Sequence, residues 1–260
     1  MGKEGKVLAE ERRAVLLQEL QHNGYLEVTQ VSTRLGVSSA TIRRDLGHMD
    51  QEGQLVRTRG GAVPATRSTT LEIPYDIKRA HNTDEKRRIA AAAAEMVHDG
   101  ETIALDAGST TYQLALQLIH RHSLTVVTND LHIAVKLAAH PNITLLCTGG
   151  MARSNVFALL GHQTEAFLKA LRVNKTFLGA DAIHPDGVIA NVNLDEVPVK
   201  QAMLRAGEQV IVLADASKFD VSGFAKVCNL AEIHALITDS RISKRTLSLL
   251  TEWQVDFRIV

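Results

Sequence analysis

From residue 102 onward, short β-type runs recur with helical stretches between them. This alternation narrows the choice of fold more than any other feature of the chain. The runs are Thr102–Leu105, Leu124–Thr128, Ile143–Cys147, Lys175–Leu178, Val210–Leu213, Ala235–Thr238 and Phe257–Val260. Helical patterns occupy Thr110–His120, Leu131–Ala139 and Lys244–Glu252. The runs are apolar on both alternating faces, as parallel strands covered on both sides require. Such alternation predicts an α/β fold with an open, parallel-type sheet. Ligands of these sheets bind at the carboxyl ends of the strands.

Small and polar residues collect at those predicted ends. The clearest case is Asp106-Ala107-Gly108-Ser109-Thr110-Thr111, where a strand ends and a helix begins. Helix-terminal amides and the helix dipole favour an anion there. Gly108 permits close approach, and Ser109, Thr110 and Thr111 add hydroxyls, so a phosphate fits. Asp106 suits sugar hydroxyls better. The plainer reading is a strand–helix turn with ordinary capping. No G-K-[ST] follows, which excludes a Walker loop. Thr128-Asn129-Asp130, Thr148-Gly149-Gly150, Asp181 and the Asp215–Phe219 segment repeat the theme, and Lys218 could neutralise a phosphate or hold a hydroxyl. Glu196 and Lys200 are four apart, the spacing of an ion pair on a helix surface.

Before residue 64 the texture is different. Glu10–Gln21 reads as a helix with an apolar stripe of Leu16, Leu17 and Leu20, and Val28–Leu35 as a second with Thr29 at its cap. Gly36 stops it. Ser38 caps a third helix reaching about Glu52, with Ile42, Leu46 and Met49 turned inward. Leu55–Ala62 reads as a basic hairpin. Helix, turn, helix and basic wing make a winged helix-turn-helix. Small residues Ser38, Ser39, Ala40 and Thr41 let the third helix enter the major groove end-on. Arg43 and Arg44 suit guanine or phosphate, and Arg57 and Arg59 on the wing suit phosphate or the minor groove. Five arginines from Arg34 to Arg59 oppose Asp45, Asp50 and Glu52, so the stretch is locally basic.

The chain as a whole is not basic. Lys plus Arg and Asp plus Glu each total 29 in 260 residues, which excludes a histone-like polycation. A hydrophobic share of 45% supports a core without staples. The longest apolar stretches, Ile89–Ala94 and Ile211–Ala214, fall far short of the roughly 20 residues of a membrane helix. No apolar region follows the first residues, so no secretory signal is expected. Cys147 and Cys228 form no CxxC. A reduced, cytoplasmic protein follows, with Cys147 expected as a buried strand residue. His120 and His122 lack partners at metal-ligand spacing, so no metal site is expected.

The string Val37-Ser38-Ser39-Ala40-Thr41-Ile42-Arg43-Arg44-Asp45-Leu46, continued by Gly53, Leu55, Arg57 and Gly60-Gly61-Ala62, resembles the signature of the DeoR family of transcriptional regulators. Arg59 stands where that family commonly has His, and Ala182 where it commonly has Gly. The resemblance implies a sensor domain similar in fold to ribose-5-phosphate isomerase. It adds Glu196 and Lys200 to an effector site with Asp106, Gly108–Thr111, Thr128, Asn129, Gly149, Gly150, Asp181 and Lys218. The expected organisation is a DNA-binding domain over 1–63, a Pro/Ser/Thr-rich linker over 64–76 and an α/β sensing and oligomerising domain over 77–260. The expected function is a non-enzymatic repressor of a carbohydrate operon. It would bind double-stranded operator DNA as a dimer or tetramer, without a cofactor, and be released by a phosphorylated sugar. Competing readings are a sugar-phosphate isomerase carrying a DNA-binding domain and a purely architectural DNA binder.

Overall fold

The computed structural model describes residues 9–58, 60–64, 75–154, 156–219 and 221–260. Arg59 therefore lies outside the described residues. The chain divides into two compact units, residues 1–81 and 82–260.

The first unit contains helix α1 (Ala9–Asn23), strand β1 (Leu26–Glu27), helices α2 (Val28–Leu35) and α3 (Ser39–Gln51), strands β2 (Leu55–Arg57) and β3 (Gly61–Pro64) and helix α4 (Tyr75–Ala80). Leu16 and Leu20 of α1 meet Val31, Ile42, Leu46, Met49 and Leu55 in one small core. Gly36 ends α2 with φ +64°. Glu27, not Thr29, stands at the N-cap position of α2; Thr29 lies in the first turn and donates to Glu27 Oε1 at 2.7 Å. The wing is an antiparallel sheet of order β1-β3-β2. Gly61 makes it possible, because a Cβ there would fall 1.5 Å from the Leu26 carbonyl oxygen. The expected linker is structured at both ends. Pro64 closes β3, where strands tolerate proline, and Tyr75 and Asp76 open α4, where an acidic residue favours a helix start. Residues 65–74 lie outside the described residues.

The second unit runs α5 (Thr83–Glu95), β4 (Thr102–Leu105), α6 (Ser109–Leu118), β5 (Leu124–Thr128), α7 (Leu131–Leu137), β6 (Ile143–Cys147), β7 (Met151–Ala152), β8 (Leu159–Leu160), α8 (His162–Lys169) and β9 (Val173–Gly179). It continues through β10 (Ala182–Ile183), β11 (Val188–Asn191), α9 (Val197–Ala206), β12 (Gly207–Leu213), β13 (Ala225–Asn229), β14 (Ala235–Thr238), α10 (Lys244–Glu252) and β15 (Phe257–Ile259). Seven strands form a wholly parallel sheet of order β15-β14-β12-β9-β4-β5-β6. Its alternating residues feed two cores. Ile103, Leu105, Val126, Phe177, Ile211 and Leu213 pack with α5, α6 and α7. Ala104, Val127, Leu178, Val210 and Val212 pack with α8, α9 and α10.

One expectation fails at the margin, and two features come in addition. Cys147 is exposed, because β6 is an edge strand and lacks a neighbour on its outer side. A small antiparallel sheet, β10-β11-β13, and the pair β7-β8 were not anticipated. Among the described residues, no helix is long and apolar enough to cross a membrane.

Chain order reverses between β4 and β9. From β4 the sheet grows through β5 and β6 on one side, and from β9 through β12, β14 and β15 on the other. Such a switch point opens a crevice beyond the strand ends.

Candidate functional site

Two surfaces carry the candidate residues. On α3, Ser38 caps the helix by accepting from the Thr41 amide at 3.2 Å. Ser38, Ala40, Arg43 and Arg44 are exposed, and Ser39 and Thr41 half-buried, while Ile42, Leu46 and Met49 face the core. Arg57 is exposed on the wing, and its guanidinium runs close enough to α3 that a Cβ on Gly47 would lie 3.5 Å from Nη1. Helix and wing thus present Arg43, Arg44 and Arg57 to solvent. Asp45, inside the same motif, does something else. It is buried and holds Arg12 and Arg13 of α1, with Arg12 Nε at 2.5 Å, so it braces the recognition helix from behind. Asp45 holds the Arg12 guanidinium above its ordinary pKa, partly offset by burial.

The second surface lies at the carboxyl ends of β4, β5 and β9. Asp106 is 1% exposed and accepts from the Gly179 amide at 2.9 Å and from Lys200 Nζ, which also donates to the Gly179 carbonyl at 3.0 Å. This buried pair spans the switch point. Burial alone would lower the Lys200 pKa, but Asp106, Glu196 and Asp181 together hold it above the ordinary lysine value. The expected surface pair of Glu196 with Lys200 does not form. Glu196 precedes the first turn of α9, so helical spacing does not apply, and it bonds Arg153 at 2.7 Å and Asn191 at 2.6 Å. Asp181 receives the Val192 amide at 3.4 Å.

The loop before α6 is tied from behind. Asn129 accepts from the Ala107 amide at 3.0 Å, and Asp130 from the Gly108 amide at 3.1 Å and the Ile133 amide at 2.9 Å. Burial pushes the Asp130 carboxyl up to about 6 despite those amides. Thr128 bonds the Leu105 carbonyl, and the Thr111 hydroxyl returns to the Gly108 carbonyl. Ser109 and Thr110, in the first turn of α6, are themselves buried, beside the leading amides of the helix. Gly150, at φ +111°, packs so closely on Thr164 and Leu160 that a Cβ would meet Thr164 Oγ1 at 2.3 Å; Gly149 accepts from Thr164 at 2.7 Å.

Lys218 stands apart. It lies in the turn after β12, and β9 separates β12 from β4, a distance of about 10 Å at ordinary strand spacing. Its neighbour Asp215 is held down to about 2, against burial, by Lys218, Lys86 and Ser217. Sequence reasoning missed Arg153, Asn191 and the bracing role of Asp45, and Arg153 left no signal.

Residues 12–68 match the family described as DeoR-like helix-turn-helix domain, and residues 81–240 the DeoR C terminal sensor domain. The chain is 33% identical over 252 residues to a putative aga operon transcriptional repressor of Escherichia coli O157:H7, covering 96% of this chain and 93% of that one. It is 33% identical to the regulator GlpR of Haloferax volcanii, covering 91% and 92%. It is 27% identical to the glycerol-3-phosphate regulon repressor of Escherichia coli K12, covering 96% and 98%. Among solved structures, ribose 5-phosphate isomerase A of Methanocaldococcus jannaschii matches at TM-score 0.40 and 21% identity, over 53% of this chain and 55% of that one.

Proposed function

Because this chain belongs to the DeoR family of transcriptional regulators, we propose that it represses a carbohydrate operon in the cytoplasm and is released from its operator by a phosphorylated sugar. The chain is a DNA-binding regulator, with the winged unit as its DNA-reading part and the α/β unit as its sensor. One observation carries the effector reading: the buried Asp106–Lys200 pair and Glu196 stand at the switch point, beside the leading amides of α6. Carboxylates and a neutralised ion pair suit the hydroxyls of a sugar. Helix-terminal amides with Ser109 and Thr110 suit its phosphate. Lys218, two strands away, suits the far end of the same molecule. The repressors of the aga operon and of the glycerol-3-phosphate regulon among the relatives agree with a carbohydrate role.

A single winged helix makes few phosphate contacts. Joining two through the sensor units raises affinity by effective concentration, which supports a homo-oligomer on repeated half-sites. The test is a thermal-shift screen of the full chain against pentose, hexose and triose phosphates and their unphosphorylated counterparts. The reading expects stabilisation by at least one phosphate ester and none by its parent sugar. Equal stabilisation by both would overturn it.

A further inference from the structure

Among the described residues, β6 ends the parallel sheet on one side, with no strand beyond it. Backbone groups point to alternate sides along a strand. The Thr148 amide donates inward, to the Thr128 carbonyl at the end of β5, at 3.1 Å. Leu146, two residues back, turns inward as well, so Leu145 and Cys147 turn their amides and carbonyls outward. The Ile143 amide also points outward but is taken by the His140 carbonyl at 3.1 Å, which leaves the Ile143 carbonyl on that side. Among the described residues, no other element bonds the backbone of Leu145 or Cys147 from outside the sheet.

An open edge is a template for another chain, and proteins ordinarily blunt it with charge, proline or a bulge. The opposite edge, β15, follows that rule: it is three residues long and carries Arg258, which donates to Glu95 at 2.7 Å. β6 does not follow it. Its sequence is Ile-Thr-Leu-Leu-Cys, five residues in unbroken register with β5. Residues 137–152 contain no Asp, Glu, Lys or Arg, although these make up 22% of the chain. Apolar side chains nonetheless reach solvent here. Leu146 is 36% exposed and Met151 71%, and Val135, on the helix α7 that packs on β6, is 76% exposed. Apolar side chains without charge among them are the composition of the centre of an interface.

We propose that β6 pairs antiparallel with β6 of a second copy of this chain, about a twofold axis through Leu145, so that two seven-stranded sheets continue as one. The surface lies wholly within the sensor unit, and it rests on the homo-oligomer proposed above. A twofold axis brings the same patch of each copy together. This patch is uncharged, so no like charges meet. Centred on Leu145, the pairing uses the whole length of the strand. Leu145 then faces the same residue of the second copy, and Cys147 faces Ile143. Outward groups meet outward groups: the two Leu145 residues exchange both backbone bonds, and each Cys147 amide reaches the outward Ile143 carbonyl. Leu146 comes opposite Thr144 and is covered by the pair.

Sedimentation and cross-linking of the full chain test the pairing. Leu145→Pro removes an outward amide that the sheet itself does not use, and an edge strand tolerates proline at such a position. The variant should melt near the wild-type temperature and sediment at half the wild-type mass. Cross-linking tests the register. Leu145→Cys is combined with Cys147→Ser, the other cysteine, Cys228, being buried. Opposed residues of a bonded antiparallel pair have Cα atoms about 5.5 Å apart, within reach of a disulfide, so oxidation should join two copies. In the wild type the two Cys147 residues lie four positions apart along the strands, about 13 Å, and should not join. A wild-type oligomer that keeps its mass in folded Leu145→Pro, or that fails to cross-link through Leu145→Cys, would overturn this interface and leave the oligomer reading standing. A wild type that sediments as a monomer would overturn both.

Discussion

Asp45 and Asp106 are buried carboxylates, each held by a cation on a helix distant in sequence. Removing one partner of such a pair strands a charge away from water, at a cost of about 3–5 kcal/mol. Lys200→Met should lower the unfolding free energy by that amount in denaturant titration. Arg43→Ala and Arg44→Ala should leave stability within about 0.5 kcal/mol, because both side chains face solvent. Each should instead cost operator binding about 1–3 kcal/mol; unchanged affinity in both would remove α3 as the recognition helix. Asp130 adds a pH dependence. Its carboxyl, raised by burial to about 6, binds its proton more tightly in the folded than in the unfolded chain. Its stabilisation is therefore full below about pH 4 and lost as pH rises through 6, a difference of about 2–3 kcal/mol. Asp215, lowered to about 2, has the opposite sign: its contribution is present above about pH 4 and is lost as pH falls towards 2. Between pH 4 and 7 the Asp130 effect is thus isolated. Asp130→Asn should gain about 2–3 kcal/mol on the wild type between those two pH values, and a constant gap would contradict the assignment.

Elements differ in how plainly the sequence announces them. All seven strands of the parallel sheet stand out as apolar runs; the five inner ones feed a core on either face, and the edge strands β6 and β15 one each. The strands β10 and β11 do not; they lie outside that sheet, in a small antiparallel one. In β13, Lys226 faces solvent amid buried neighbours, which breaks any run. The end of β4 and its glycine-containing turn were legible as a strand–helix turn and a candidate site. The buried reach of Lys200 to Asp106 was not, because it depends on where α9 begins, and residues 106 and 200 meet only through the sheet order. In the wing, Gly61 is legible as a motif residue, but its reason is the two-residue strand β1 lying against it. Gly61→Ala should force β1 and β3 apart and cost the winged unit roughly 3–5 kcal/mol. Scanning calorimetry should show that unit's transition lowered or lost while the sensor unit melts at its wild-type temperature. A single unchanged transition would contradict this account of the wing.

At the scale of the whole molecule, the design joins a small DNA-reading unit to a sensor with two cores of its own. Sedimentation at micromolar concentration should show a dimer or larger species; a monomer with full operator affinity would contradict the avidity argument. Coupling between effector and operator of about 1–3 kcal/mol corresponds to a 5–150-fold change in affinity. The most direct measurement is fluorescence anisotropy of the full chain on a selected operator duplex, titrated with sugar phosphates and their parent sugars, for wild type and Lys218→Ala. The account predicts that at least one phosphate ester weakens wild-type binding within that range and its parent sugar does not. It also predicts that Lys218→Ala, with unchanged operator affinity, needs at least tenfold more effector for the same release, the loss of one charge-assisted bond of about 1.5–3 kcal/mol. Operator affinity indifferent to every phosphate ester tested, or equally sensitive to the parent sugars, would contradict it.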